Sequence, residues 1–272
     1  MIRLGLVGYP VEHSLSPQIH LAALRACGLQ GEYALYPIPP GGEQALGDLL
    51  QRVRTGELQG LNITIPYKQA VLPFLDELAP VAKAIGAANT IYLRGGSLIG
   101  DNTDAAGFLA DLGQFCPSPR RAMVLGGGGG ARAILYTLES LGCEASLWVR
   151  RAAQGRLLLE QFPGLKLLEL NPDSLRGVQP DLIVNTTPAG MFPETDCSPW
   201  PAGLDFPGRP FVYDLVYNPR ETRLMRQAHT AGLQAVTGLG MLIEQAALAF
   251  ELWTGCRPQR GPMRAALEQT VG

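Results

Sequence analysis

The chain has 272 residues, of which 46% are hydrophobic and 17% charged, and its formal net charge is −2. That length and composition fit one large or two ordinary globular domains and exclude a disordered chain. A near-neutral balance without a polybasic run gives no field for nucleic acid, and no apolar run approaches the ~20 residues of a membrane span. In chain order, "IRLGLVG" (residues 2–8) reads as a strand, with no signal-peptide layout before it. A helix is expected near Pro17 to Cys27, a strand over "EYALYPI", a helix over "EQALGDLLQRVR" and a strand over "LQGLNITI". "KQAVLPFLDEL" and "PVAKAIGA" read as helical, and "NTIYLRGGSLIGDNTD" as a hairpin turning at Gly95 and Gly96. Such alternation predicts an α/β unit with a mostly parallel sheet.

A second unit follows the Pro/Ser-containing "FCPSPR". "RAMVLGGGGGARAILYTLESLG" reads as strand, glycine loop and helix, followed by "EASLWVRR", a helix over "GRLLLEQF", "LKLLEL", "DLIVNTTPAGM" and "RPFVYDLVY". A helix over "ETRLMRQAHTAG" and the strand "LQAVTG" complete a doubly wound, Rossmann-type pattern. Two closing helices, "GMLIEQAALAFELWTG" and "PMRAALEQT", are surplus to such a unit and are expected to return to the first domain. The division is therefore residues 1–103 with 239–272, and an inserted domain at residues 104–238. Cys27, Cys116, Cys143, Cys197 and Cys256 form no CxxC and read as reduced, mostly buried thiols of a cytoplasmic protein. His13 and His20 have no further ligand at metal spacing, so no metal site is expected.

Three stretches carry chemistry. In "HSLSP", Ser16 before Pro17 reads as a helix N-cap, which leaves Ser14 unexplained; two hydroxyls before a helix N-terminus also suit an anion. In "VLGGGGGARA", Gly126, Gly128 and Ala131 satisfy G-x-G-x-x-A between a strand and a helix, the context of a dinucleotide pyrophosphate site. A flexible strand–helix loop is the plain alternative, but five consecutive glycines carry an entropic cost that it does not explain. The next strand ends in "SLWVRRAAQGR", where Arg150, Arg151 and Arg156 replace the carboxylate that an NAD ribose needs. Guanidinium groups there suit the 2′-phosphate of NADP; a solvated arginine pair is the bland reading. In "LNITIPYKQ", Asn62 and Thr64 share a strand face, and Lys68 opens a helix where the dipole disfavours a cation. A lone lysine is usually a solvated charge, yet "GAANT" and "GDNTD" add polar clusters at further strand ends, where α/β sheets bind ligands.

"HSLSP", "LNITIPYK", "GAANT", "GDNTDAAGF", "LGGGGGARA" and "GLGMLIEQAALAF" together resemble, in order and spacing from residue 14 to 250, the signatures of the shikimate dehydrogenase family. The resemblance implies a split substrate domain around an NADP-binding Rossmann domain, and reversible reduction of 3-dehydroshikimate to shikimate on the way to chorismate and aromatic amino acids. It implies Lys68 and Asp104 as the catalytic pair. Ser14, Ser16, Asn62, Thr64, Asn89, Tyr217 and Gln245 join these two at the substrate. Gly126, Gly127, Gly128, Gly129, Gly130, Ala131, Arg150, Arg151, Leu215 and Gly238 lie along the cofactor. The chain departs from the family pattern at Val149, Gln154 and Thr237, where asparagine, arginine and aspartate are usual. Other readings are a quinate/shikimate dehydrogenase using NAD or both cofactors, and a catalytically silent NADP-binding sensor. A monomer or homodimer without membrane or nucleic-acid partners is expected.

Overall fold

The computed structural model describes residues 1–169 and 171–268. The chain folds as two compact units, Met1–Gly107 with Leu242–Gly272, and Phe108–Met241. Residues 104–107 thus go with the first unit and 239–241 with the second, on the other side of each expected boundary. Both divisions fall inside helices, α5 (Asp104–Leu112) and α10 (Leu239–Thr254), which a composition shift cannot reveal.

In the first unit the strands β1 (Ile2–Gly8), β2 (Gly31–Pro37), β3 (Gly60–Ile63), β4 (Glu77–Leu78), β5 (Thr90–Arg94) and β6 (Ser97–Asp101) form a sheet of order β2-β1-β3-β5-β6-β4. β1 runs parallel to β2 and β3, while β5 is antiparallel to both β3 and β6. Gly95 and Gly96 both have positive φ, as the two-residue turn of the β5–β6 hairpin requires. The consequence is geometric. The C-terminal ends of β1, β3 and β6 and the start of β5 share one edge of the sheet. α2 (Glu43–Arg54) buries Leu46, Leu49, Leu50 and Val53 against Leu61, Ile63, Ile91 and Leu98 of the sheet. α1 (Ser16–Ala26) packs against α11 (Arg260–Glu268), and on α10 Trp253 Nε1 donates to Ile91 O at 2.9 Å. The expected helix over residues 68–78 is broken up. Only α3 (Tyr67–Ala70) and a 3₁₀ turn (Leu72–Phe74) form before β4, because Pro73 cannot donate to a continuing helix. α4 (Pro80–Ile85) follows and ends at Gly86 in the left-handed region.

The second unit is a wholly parallel sheet of order β12-β11-β10-β7-β8-β9, the doubly wound order. Its strands are β7 (Arg121–Leu125), β8 (Glu144–Trp148), β9 (Lys166–Leu168), β10 (Leu182–Asn185), β11 (Phe211–Asp214) and β12 (Ala235–Thr237). α6 (Gly129–Ser140), α7 (Ala152–Gln161), α8 (Pro172–Arg176) and α9 (Arg223–Thr230) connect them. Leu170 of the expected "LKLLEL" strand, and Gln269 and Thr270 of the closing helix, lie outside the described residues. The Tyr213 hydroxyl donates to Asp111 Oδ2 at 2.5 Å, and burial beside that carboxylate pushes the phenol up. A Cβ on Gly240 would sit 1.8 Å from Asp111 Oδ1, so only glycine lets the start of α10 approach this pair.

One cysteine expectation is corrected. Cys27 and Cys256 are disulfide-bonded, with Cα atoms 6.5 Å apart across 229 residues of chain; Cys116, Cys143 and Cys197 are free, and of these Cys143 is buried, Cys116 half-buried and Cys197 exposed, so they are not mostly buried either. The return of the C-terminal helices brings the end of α1 beside the end of α10, which no local spacing foretells. Such a staple stabilises a fold by roughly 2–4 kcal/mol, largely through the unfolded chain.

His20, on α1, is fully buried between Tyr33, Phe250 and Trp253, stacked on Tyr33 at 4.4 Å and 4°. Burial lowers its pKa from 6.5 to about 3, outweighing the opposing influence of the neighbouring Asn62 side chain. The imidazole is neutral in the fold and charges on unfolding. Its contribution is therefore fully present above pH 6.5 and is lost as pH falls toward 3, by up to about 1.4 kcal/mol per unit. His20→Phe keeps a flat ring and removes the titration. Melting temperatures of both proteins should show the variant gaining on the wild type by roughly 2 kcal/mol between about pH 7 and pH 5. A difference that stays constant with pH would contradict this.

Candidate functional site

The shared edge of the first sheet gathers most of the residues singled out above. Ser14 and Ser16 follow β1, Thr64 and Lys68 follow β3, Asn89 precedes β5, and Asp104 follows β6. Gly8 permits the close approach of the first two loops: a Cβ there would lie 2.3 Å from Thr64 Cγ2 and 2.7 Å from Ile65 O. Lys68 Nζ donates to Asp104 Oδ2 at 2.6 Å, with the two side chains 15% and 7% exposed. A pair this far out of water is stabilised when its remaining polar atoms are satisfied, and the second carboxylate oxygen of Asp104 is. Asn89 Nδ2 donates to Asp104 Oδ1 at 2.9 Å and lies 3.3 Å from Gln245 Oε1. The amide orientation is fixed because Asn89 Oδ1 accepts from Thr103 N at 2.8 Å. Asp104 opens α5, where a carboxylate complements the helix dipole, and Asn102 Oδ1 caps that helix by accepting from Asp104 N and Ala105 N.

Ser14 and Ser16 lie together, with Oγ atoms 3.1 Å apart. The capping expectation is corrected: α1 already includes Ser16, the N-cap is Leu15 without a side-chain bond, and Ser14 Oγ accepts from Ser16 N at 3.2 Å. Ser16 is therefore helical, Pro17 sits in the first turn, and Ser14 supplies the acceptor. Asn62 is buried and its amide is taken up internally. Its Oδ1 accepts from Tyr33 at 2.8 Å, and its Nδ2 donates to Asn89 O and lies 3.4 Å from Thr90 Oγ1.

In the second unit the glycine loop joins β7 to α6. Gly126 has φ +100°, and a Cβ there would meet Thr187 Cγ2 at 2.6 Å and Thr186 Oγ1 at 2.9 Å. Gly128 is the N-cap of α6, with no side-chain acceptor for the first N–H groups and open space where a Cβ would be. Ala131 is fully buried at the helix–sheet contact. Gln154, which replaces the arginine usual in the pattern, donates from Nε2 to Gly127 O at 2.6 Å and braces the loop. Arg150 and Arg151 lie exposed between β8 and α7. Gly238 packs on the backbone of Leu215, where a Cβ would lie 2.6 Å from the carbonyl oxygen.

Two family models match the chain, "Shikimate dehydrogenase substrate binding domain" over residues 6–91 and "Shikimate 5'-dehydrogenase C-terminal domain" over residues 238–268. The NADP(+) shikimate dehydrogenase of Salinibacter ruber is 42% identical over 274 residues, spanning 96% of this chain and 94% of the relative. The chain belongs to the shikimate dehydrogenase family. The crystal structure of the shikimate 5-dehydrogenase from Thermus thermophilus, in complex with NADP(H) and shikimate, superposes with a TM-score of 0.88 at 40% identity, covering 99% of each chain. A quinate dehydrogenase from Corynebacterium glutamicum, in complex with NAD, is 30% identical with a TM-score of 0.87 and covers 98% of this chain and 99% of its own.

In this member of the shikimate dehydrogenase family the second unit fits a dinucleotide. The first turn of α6 offers N–H groups without a side-chain cap, and Gly128 leaves open the space that a side chain would fill. Several residues were missed by reading the sequence alone. Asn185 is fully buried; its Oδ1 accepts from Thr187 N and Oγ1 at 2.9 and 2.7 Å, which shapes the loop after β10 beside Gly126. Asp214, at the end of β11, accepts from Thr222 Oγ1, Asn185 Nδ2 and Val216 N at 2.6, 2.7 and 3.1 Å. It fixes the start of the segment that carries Leu215 and Tyr217. Burial outweighs these donors and raises its pKa from 3.8 to about 6. The available signal was polar residues directly after apolar strands in "IVNTT" and "VYDLVY", at the C-terminal edge of a parallel sheet.

Proposed function

We propose that this chain catalyses the reversible, NADPH-dependent reduction of 3-dehydroshikimate to shikimate, in the route to chorismate and the aromatic amino acids. The observation that carries the proposal is the Lys68–Asp104 pair, nearly buried and oriented by Asn89 at the substrate-domain sheet edge. Bound NADPH supplies the hydride. Reduction of the ketone builds negative charge on its oxygen, and the Lys68 ammonium stabilises that charge and is placed to give the proton that completes the hydroxyl. Asp104 holds Lys68 through Oδ2 and offers an acceptor to a neighbouring substrate hydroxyl. Ser14 and Ser16 are the proposed neutral donors to the substrate carboxylate, with Thr64, Asn89, Gln245 and Tyr217 on its hydroxyls. Asn62 acts behind them, through Asn89. Gly126, Gly127, Gly128, Gly129, Gly130 and Ala131 take the pyrophosphate, and Leu215 and Gly238 are assigned beside the nicotinamide.

Among the described residues no helix is long and apolar enough to cross a membrane. The proposed setting is the cytoplasm, where NADPH is supplied; there the Cys27–Cys256 bond has to resist the reducing thiol pool.

Mixing the protein with shikimate and NADP should produce the near-ultraviolet absorbance of NADPH. Quinate and NAD should react more slowly. No absorbance with any pairing would contradict the proposal, and faster turnover of quinate with NAD would transfer it to the quinate enzymes. Cofactor choice is assigned to Arg150 and Arg151, since the end of β8 carries no carboxylate. Replacing both with serine should raise the KM for NADP by about tenfold, the scale of one charge-assisted contact discounted for exposure. The NAD reaction should scarcely change. Equal losses with both cofactors would show that these arginines do not read the 2′-phosphate.

A further inference from the structure

We propose that Tyr33 and Thr90 are positioning residues for the Lys68–Asp104 pair, acting through a directional hydrogen-bond relay; the proposal rests on the reaction assigned above. The relay starts in the aromatic packing around His20. The stacked imidazole fixes the Tyr33 ring, and the Tyr33 hydroxyl donates to Asn62 Oδ1 at 2.8 Å. The Asn89 carbonyl, which can only accept, decides which end of the Asn62 amide is nitrogen, and the Tyr33 hydroxyl therefore donates to its oxygen. Nδ2 must then face β5, where it donates to Asn89 O at 3.2 Å and lies 3.4 Å from Thr90 Oγ1. The Thr90 hydroxyl, with a donor on that side, turns its own hydrogen to Asn89 Oδ1 at 3.0 Å. Asn89 Nδ2 is left facing Asp104 Oδ1, and Asp104 Oδ2 holds Lys68.

Two backbone groups fix the polarity: Asn89 O, which only accepts, and Thr103 N, which only donates. A tyrosine or threonine hydroxyl rotates freely, and an amide reads alike from either end, so the order comes from the sequence of partners. Every member from Tyr33 to Asp104 is less than a tenth exposed, which keeps bulk solvent from readily replacing a lost link. Asn89 is held from two sides: by Thr103 N and Oγ1 just before α5, and by the relay from β2 and β3. One anchor sets which face of the amide meets Asp104. The second sets its tilt, and with it the direction in which Asp104 presents Lys68. None of Tyr33, Asn62 and Thr90 needs to touch substrate for this.

The test uses the full-length protein with shikimate and NADP. Tyr33→Phe removes the first donor and keeps the ring. Thr90→Val cuts the relay at its middle with a side chain of the same shape, which keeps the test open if the tyrosine variant folds poorly. Each should lower kcat roughly three- to tenfold, the scale of one neutral hydrogen bond. The rise in KM for shikimate should be smaller, and the pH profile of kcat should be displaced. Thr90→Ser, which retains the hydroxyl, should recover most of the loss. A purely structural role would lower melting temperature while leaving kcat and its pH profile at wild-type values, and that result overturns the relay. Failure of Thr90→Ser to recover activity overturns it as well. A wild-type protein inactive with shikimate would instead overturn the reaction assignment, and the relay with it.

Discussion

The first unit is organised around one costly interaction, the Lys68–Asp104 ion pair. Moving two charges out of water carries a penalty of several kcal/mol per ion, which mutual attraction offsets only when every remaining polar atom is satisfied. The surrounding construction meets that demand on the carboxylate side. β6 delivers Asp104 to the first turn of α5, Asn102 caps that turn, and Asn89 occupies the second carboxylate oxygen. The short α3 sets Lys68 at the end of β3, with its carbonyl pinned by Ala88 N at 2.8 Å. The antiparallel β5–β6 hairpin is what allows this. In a purely parallel sheet the start of β5 would lie at the opposite edge, and Asn89 would be far from Asp104.

The second unit meets a different constraint, which is to keep side chains away from a helix N-terminus. Glycine at positions 126 to 130 leaves the first turn of α6 uncovered. That freedom is bounded by neighbours: Thr186 and Thr187 close on Gly126, and Gln154 holds the carbonyl of Gly127. An entropically expensive loop is thereby restrained without adding a side chain where a pyrophosphate would lie. Buried Asp214 does the same for the segment after β11, tying Asn185, Thr222 and Val216 to one carboxylate.

Local signals carried much of this fold. The hairpin could be read because Gly95 and Gly96 stand between two alternating strands, and the glycine loop because strand and helix periods flank it. Ser14, Lys68, Asn89 and Asp104 stood out as polar residues at strand ends. What stayed hidden depends on partners distant in the chain. Apolar spacing over residues 68–78 favours a helix, but Pro73 withholds the backbone donor that would continue it. Ser16 looked like a cap because its own residue type suits one, while the acceptor is Ser14 two positions earlier. Nothing near Cys27 announces Cys256, and nothing near Tyr33 announces Asn62 on a strand two places across the sheet. Buried polar partners of this kind are selected by tertiary geometry, and sequence periodicity is blind to them.

Catalysis as proposed requires Lys68 and Asp104 to work as one unit. A double-mutant cycle on kcat with Lys68→Met, Asp104→Asn and the combined variant tests this most directly. If the pair is the unit described, each single change lowers kcat by roughly 10²–10⁴, and the double variant is about as slow as the slower single. Losses that multiply in the double variant would show that the two residues act independently and would contradict a single Lys68–Asp104 unit.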